Sequence, residues 1–299
     1  MRVTRLVPGV LAGLALLLPP SSAVAQTPVP QCAVLGTPCK LSVGLDDARV
    51  IVPEASPDGR RVVFAHQTLS GPEELYTVPI HGGVPPVLLS PPGEHAQFRA
   101  FTPDGARVLY TQGDASGTRL YSVPAAGPAS ARVRLADDVG VQPQIAISPD
   151  SLKVVFLPPT RDRLRVVPTA GPASAGKRLT DPFVPGGTAS GARISADSRS
   201  VVYRADQETA GVVQLYRVPL SLSPAPDPPT TRLNPPLVAG GDVSEFTLSP
   251  VDGLAVYRAD QDTDNVRELY RVRLGGGENI KLNPPLPTGW EVRPPGRTR

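Results

Sequence analysis

The sequence predicts an all-β fold: a β-propeller of about five four-stranded blades, with an incomplete sixth as its variant. Three observations predict it. One motif is written five times, opening at Ser56, Thr102, Ser148, Ser195 and Ser249, at intervals of 46, 46, 47 and 54 residues. Each unit carries strand signals only. Proline (38) and glycine (28) are so dense in the 299 residues that turns dominate and helices have little room. Self-similarity in the forties with strands alone inside the unit is the signature of a propeller blade.

Within a unit the elements follow in a fixed order. Strand a precedes the opening residue: Val50 to Val52, Gln97 to Phe101, Gln144 to Ile147, Ala192 to Ile194 and Glu245 to Leu248. The opening is a turn. In Ser56-Pro57-Asp58-Gly59 and Thr102-Pro103-Asp104-Gly105, proline presets φ, aspartate accepts from following amides and glycine takes the positive φ. Ser148-Pro149-Asp150-Ser151 and Ser195-Ala196-Asp197-Ser198 read as weaker copies, and in Ser249-Pro250-Val251-Asp252-Gly253 the pattern shifts by one. Because these aspartates recur in every unit, they suit a turn and not a single reactive site.

Strand b follows, with an aromatic residue eight positions after each opening: Phe64, Tyr110, Phe156, Tyr203 and Tyr257. Strand c starts at Leu75, Leu120, Leu164, Leu215 and Leu269. It reads Leu-Tyr-x-Val in four copies and Leu164-Arg165-Val166-Val167 in the third. Period-2 alternation gives each strand two apolar faces, which only stacking on neighbouring blades can bury. Tyr76, Tyr121, Tyr216 and Tyr270 are expected between blades. Strand d centres on Leu89, Leu135, Leu179, Leu233 and Leu282, and prolines flank it, as suits a protected outer edge.

The ends divide the chain into 1–25, 26–45, 46–286 and 287–299. Residues 1–25 read as a secretory signal peptide: Arg2 and Arg5, an apolar stretch from Leu6 to Leu18 too short to span a bilayer, and cleavage between Ala25 and Gln26 after Ala23-Val24-Ala25. Residues 26–45 carry the two cysteines, Cys32 and Cys39. An even count in an exported chain favours a disulfide, worth about 2.5 kcal/mol by loop-closure entropy. The span 46–286 is the propeller, and 287–299 is a tail. Lys40-Leu41-Ser42 matches Arg178-Leu179-Thr180 in register, so the N-terminal segment is expected to lend a d strand. Five blades with roughly circular closure are expected.

The repeat resembles that of the TolB-like (WD-like) propellers of bacterial exported proteins. The likeness rests on the Ser-Pro-Asp-Gly turn, the Val-Val-Phe strand and two late copies. These are Val201-Val202-Tyr203-Arg204-Ala205-Asp206-Gln207 and Ala255-Val256-Tyr257-Arg258-Ala259-Asp260-Gln261, each continued by Leu-Tyr-Arg-Val and Leu-Asn-Pro-Pro-Leu. The resemblance spans roughly residues 40 to 286 and implies a periplasmic or secreted protein. TolB proteins precede the propeller with an α/β domain, whereas only residues 26–45 precede it after signal removal.

Charge excludes one class of partner. The chain has 30 basic and 27 acidic residues, and loss of Arg2 and Arg5 leaves 28 against 27. With no basic run or face, no nucleic-acid partner is expected. No membrane span is expected in the mature chain.

Three features could carry chemistry. His66, His81 and His95 all fall in or near the first unit; convergence with a carboxylate would make a metal or acid–base site. The TolB-like resemblance includes lyases with histidine-bound metal. Asp260, Asp262 and Asp264 resemble the first half of a calcium loop, although Asn265 and Arg271 stand where that loop needs Gly and Glu. The Pro-rich stretch Ser221 to Pro229 lengthens the fourth c–d connection. There is no Gly-x-Ser-x-Gly, so no nucleophile elbow. The first reading is therefore an exported, non-enzymatic module that binds a protein, a peptide or a cell-envelope component, without catalytic residues or a required cofactor. The rivals are a small propeller lyase or hydrolase using the histidines, and a truncated structural repeat protein.

Overall fold

A computed structural model describes residues 40–45, 48–114, 117–223, 229–286 and 290–292. The proposed signal peptide with its Ala25–Gln26 cleavage, and Cys32 and Cys39, lie outside the described residues. Five four-stranded antiparallel sheets follow one another along the chain, each a simple a-b-c-d meander. The a strands are Ala48–Ala55, Ala96–Phe101, Ile145–Ile147, Ala189–Ile194 and Val243–Leu248. The b strands are Arg61–Thr68, Arg107–Asp114, Lys153–Phe156, Ser200–Ala205 and Leu254–Ala259. The c strands are Glu73–Pro79, Gly117–Pro124, Arg165–Pro168, Gln214–Pro219 and Glu268–Arg273. The d strands are Val87–Leu88, Val133–Ala136, Lys177–Arg178, Thr231–Arg232 and Ile280–Lys281. Each unit of the repeat is one blade, as the sequence predicts.

The opening motif makes the same turn four times. Ser56 Oγ donates to Asp58 Oδ1 at 2.6 Å while accepting from Arg61 N at 2.9 Å, and Asp58 Oδ1 accepts from Arg60 N. Thr102/Asp104, Ser148/Asp150 and Ser195/Asp197 repeat it. Ser151 and Ser198 occupy the glycine position with φ of 63° and 58°. They are more than weak copies. Ser151 Oγ accepts from Asp104 N, and Ser198 Oγ accepts from Asp150 N, both at 3.0 Å, so each ties its turn to that of the preceding blade.

Alternation sorts the apolar side chains into two faces per blade. The leading face of the first blade (Val63, Leu75, Leu89) packs on the trailing face of the second (Val108, Tyr110, Tyr121, Val123). The seams between blades 2 and 3, 3 and 4, and 4 and 5 repeat this. Directly opposite one another on strands b and c, Phe64–Tyr76, Tyr110–Tyr121, Tyr203–Tyr216 and Tyr257–Tyr270 stack at 5.4–6.0 Å between centroids.

The ends depart from simple closure. Residues 40–45 form bends and a turn, not a d strand; the fifth blade already carries Ile280–Lys281 in that place. No hydrophobic cluster joins the fifth blade to the first among the described residues. Instead residues 290–292 repeat the approach that begins the fifth blade. Val292 N donates to Arg267 O at 2.8 Å as Val243 N does to Val213 O, and the Arg258 guanidinium donates to Val292 O as that of Arg204 does to Val243 O. Residues 290–292 thus lie where a further inner strand would begin, without themselves being a strand.

Candidate functional site

The facing aromatic pair of strands b and c is lost in one blade, at strand c of the third. Arg165 stands opposite Phe156, where the other four blades set a tyrosine against an aromatic ring. A guanidinium cannot fill the apolar seam as a ring does, and Arg165 is exposed. The neighbouring b strand also stops early. Leu157-Pro158-Pro159 follows Phe156, and proline has no N–H to extend a ladder. The seam between blades 2 and 3 therefore opens outward.

The opening is a groove of two adjoining cavities of about 650 and 340 Å³ that share Pro158 and Pro159 as a wall. The larger is bounded by Arg134, Leu135 and Ala136 on the edge strand of blade 2, by Phe156 and Arg165 on blade 3, and by Ala173 and Ser174. The smaller runs under Val139 to Gln142 and Arg161. Gly171 sets the wall close to blade 2: a Cβ there would lie 3.1 Å from the Val133 side chain, at a φ of +66° that only glycine takes easily.

Charge is arranged along it. Arg134 pairs with Asp137 at 3.1 Å, and Asp138 accepts from Gly140 N. The Arg161 and Arg165 side chains have no ion-pair or hydrogen-bond partner among the described residues. Arg165 lies directly across the ladder from Arg178, so two like charges share one rim. Arg161 has φ of 54° in the turn closed by Arg161 N to Pro158 O, while its carbonyl accepts from Ala189 N of the next blade. The turn is braced by Asp162, which accepts from Thr160 Oγ1 and pairs with Arg163; these contacts, Arg163 foremost, hold its carboxyl down at about 2. The arrangement offers guanidinium groups beside apolar rings and no histidine or cysteine. It can hold an anionic group next to an apolar one.

The sites expected from sequence lie elsewhere. His66 is buried against the edge of the Tyr76 ring at 5.5 Å. His95 is exposed, accepting from Glu73 N at the same end of the blade. His81 follows strand c at the opposite end, separated from His66 by the strand from 61 to 66, about 17 Å at 3.3 Å per residue. The three are not brought together. Asp260 is buried and spent on backbone: Oδ1 accepts from Asp242 N at 2.6 Å and Oδ2 from Asn265 N. Asp206 holds the same place in blade 4. Asp262 pairs with Lys281 at 2.8 Å, and Asp264 accepts from Asn265 Nδ2. Among the described residues, no three His, Cys, Asp or Glu side chains group to hold a metal ion. Of the insertion, residues 224–228 lie outside the described residues, and Ser223 O accepts from Lys177 Nζ. No described helix is long and apolar enough to cross a membrane.

No family model matches the sequence, and no curated protein matches it. Solved structures do match. A structure assigned to TolB from Agrobacterium tumefaciens is 16% identical with a TM-score of 0.44, over 78% of this chain and 80% of that one. TolB from Acinetobacter baumannii is 16% identical with a TM-score of 0.41, over 79% and 52%. Prolyl oligopeptidase B from Galerina marginata is 14% identical with a TM-score of 0.53, over 78% of this chain and 37% of that one. At such identity the likeness is one of fold: the chain is a β-propeller, built of repeats that resemble those of TolB.

Proposed function

We propose that the chain is an exported, non-enzymatic binding module, and that its site is the groove between the second and third blades. The observation that carries this reading is Arg165: the repeat gives up its seam tyrosine there, and a cavity lined by arginines and prolines takes its place. A partner peptide laid along Pro158 and Pro159 would bury apolar surface and set a carboxylate between Arg165 and Arg161. It would also relieve the like-charge contact of Arg165 with Arg178. The groove supplies no paired nucleophile and base, which supports binding over catalysis. The signal-like residues 1–25 support export, and fractionation of a tagged full chain tests that.

Binding is tested with fluorescent peptides bearing Asp or Glu beside Pro, titrated in parallel with the Arg165→Tyr variant. That change restores the residue found in the other blades and fills the groove. Loss of binding by about tenfold or more, the size of a charge-assisted contact, is expected. If no peptide binds, or binding ignores the variant, the reading fails.

A further inference from the structure

The outer strands carry a second pattern. In blades 2, 4 and 5 the residue directly across the ladder from the seam tyrosine is a cation: Arg134 opposite Tyr121, Arg232 opposite Tyr216 and Lys281 opposite Tyr270. Each is matched by an acid. Arg134 pairs with Asp137 at 3.1 Å, Arg232 with Glu208 at 3.4 Å, and Lys281 with Asp262 at 2.8 Å and Glu268 at 2.6 Å. In blade 3 the cation is Arg178, opposite Arg165, and the acid is missing. Glu208 and Asp262 stand five residues after the strand-b aromatics Tyr203 and Tyr257; at that count from Phe156 stands Arg161. Asp181 follows Arg178 as Asp137 follows Arg134, but it makes no ion pair among the described residues. The Arg178 side chain is exposed and likewise has no partner among them.

We propose that Arg178 is a second anion subsite of the groove, so that the peptide bound there carries two acids, one between Arg165 and Arg161 and one at Arg178. This rests on the groove being the peptide site. Charge complementarity argues for the second acid. Arg161, Arg165 and Arg178 are three exposed cations without an acid among the described residues, and one carboxylate cannot satisfy all three. Arg165 and Arg178 face each other on one side of the sheet with Cβ atoms about 5 Å apart, so two carboxylates of one peptide can reach them. The acids of the opposite wall are already engaged, Asp137 by Arg134 and Asp138 by the Gly140 amide. Lys177 belongs to the other side of the strand. It lies across from Val166, which packs in the seam with blade 4, and its Nζ donates to Ser223 O.

Fluorescent peptides with one acid beside proline, and the same peptides with a second acid placed progressively further along, are titrated against the wild type and Arg178→Gln. At its best spacing the second acid is expected to tighten binding to the wild type about tenfold, the size of one charge-assisted contact. Arg178→Gln is expected to lose that gain while binding the one-acid peptide as the wild type does. Arg232→Gln, the same change where the cation already has Glu208, keeps the gain. Arg178→Gln is expected to melt no lower than wild type, because it removes a like charge opposite Arg165. A second acid without effect on the wild type, or a gain that survives in Arg178→Gln, overturns the subsite and leaves the groove as a one-acid site. A gain that appears only in Asp227→Asn means that the chain's own acid holds Arg178, and overturns it too. If neither kind of peptide binds, the groove is not the peptide site and the subsite falls with it.

Discussion

The Ser198 hydroxyl accepts the backbone N–H of Asp150 at 3.0 Å across the seam between blades 3 and 4. Ser198 has φ of 58°, where the first two blades use glycine at 69° and 70°. The left-handed backbone of a non-glycine residue costs about 1–2 kcal/mol, and a hydrogen bond contributes about 1 kcal/mol. Position 198 thus exchanges local strain for a tie between blades.

Replacement at that position separates the two terms. Ser198→Ala keeps the strain and loses the bond, and is expected to lower unfolding stability by about 1 kcal/mol. Ser198→Gly loses the same bond but relieves the strain, and is expected to stay within about 0.5 kcal/mol of wild type. Urea unfolding of both checks the order. A glycine variant weaker than the alanine one contradicts it.

Arg165→Tyr is expected to raise stability as well as close the groove. It sets a ring opposite Phe156, as in the other four blades, and an aromatic pair adds about 0.5–1.5 kcal/mol beyond its buried area. It also removes the like charge facing Arg178. A higher midpoint in thermal unfolding, beside lost peptide binding, marks a site whose residue serves recognition at the expense of packing. A lower midpoint shows that Arg165 is there for the fold.

Stability is expected to fall in acid, between about pH 4 and pH 2. The Asp162 carboxyl sits at about 2 in the folded chain against an ordinary 3.8. Hydrogen bonds from Ser56 and the Arg60 amide likewise lower Asp58, and those from Ser195 and the Arg199 amide lower Asp197. A depressed folded value means that the folded state favours the charged form. The stabilisation is therefore complete above the unfolded value and is lost as pH falls through the folded one. Asp162→Asn is expected to flatten the acid limb of a pH series of melting temperatures. An unchanged slope means that the Arg163 pair contributes nothing there.

Much of this was legible in the sequence, and the exceptions have physical causes. Turn, strands and faces repeat with the motif, so five copies vouch for each other. Arg165 was visible as the one departure from Leu-Tyr-x-Val. That its place lies open was not, because this depends on Pro158 and Pro159 ending strand b beside it. The bonds of Ser151 and Ser198 cross between blades, and no spacing within a unit encodes them. The histidines stand close in sequence, but a strand of fixed rise carries His81 to the far end. Asp260 looked like a cation ligand because a carboxylate in a hairpin serves backbone amides as readily as it serves calcium.

The seam positions give the sharpest contrast, since one repeat residue meets two environments. Leu215 is fully buried between blades 4 and 5, whereas Leu269, its equivalent one blade later, is half-buried. Leu215→Ala leaves a cavity and is expected to cost about 2–5 kcal/mol. Leu269→Ala removes less buried surface and leaves no closed cavity; about 1 kcal/mol or less is expected. The difference disappears only if the fifth blade's leading face is covered as the fourth's is. Equal losses would therefore show that the fifth blade's seam is closed as tightly as the fourth's.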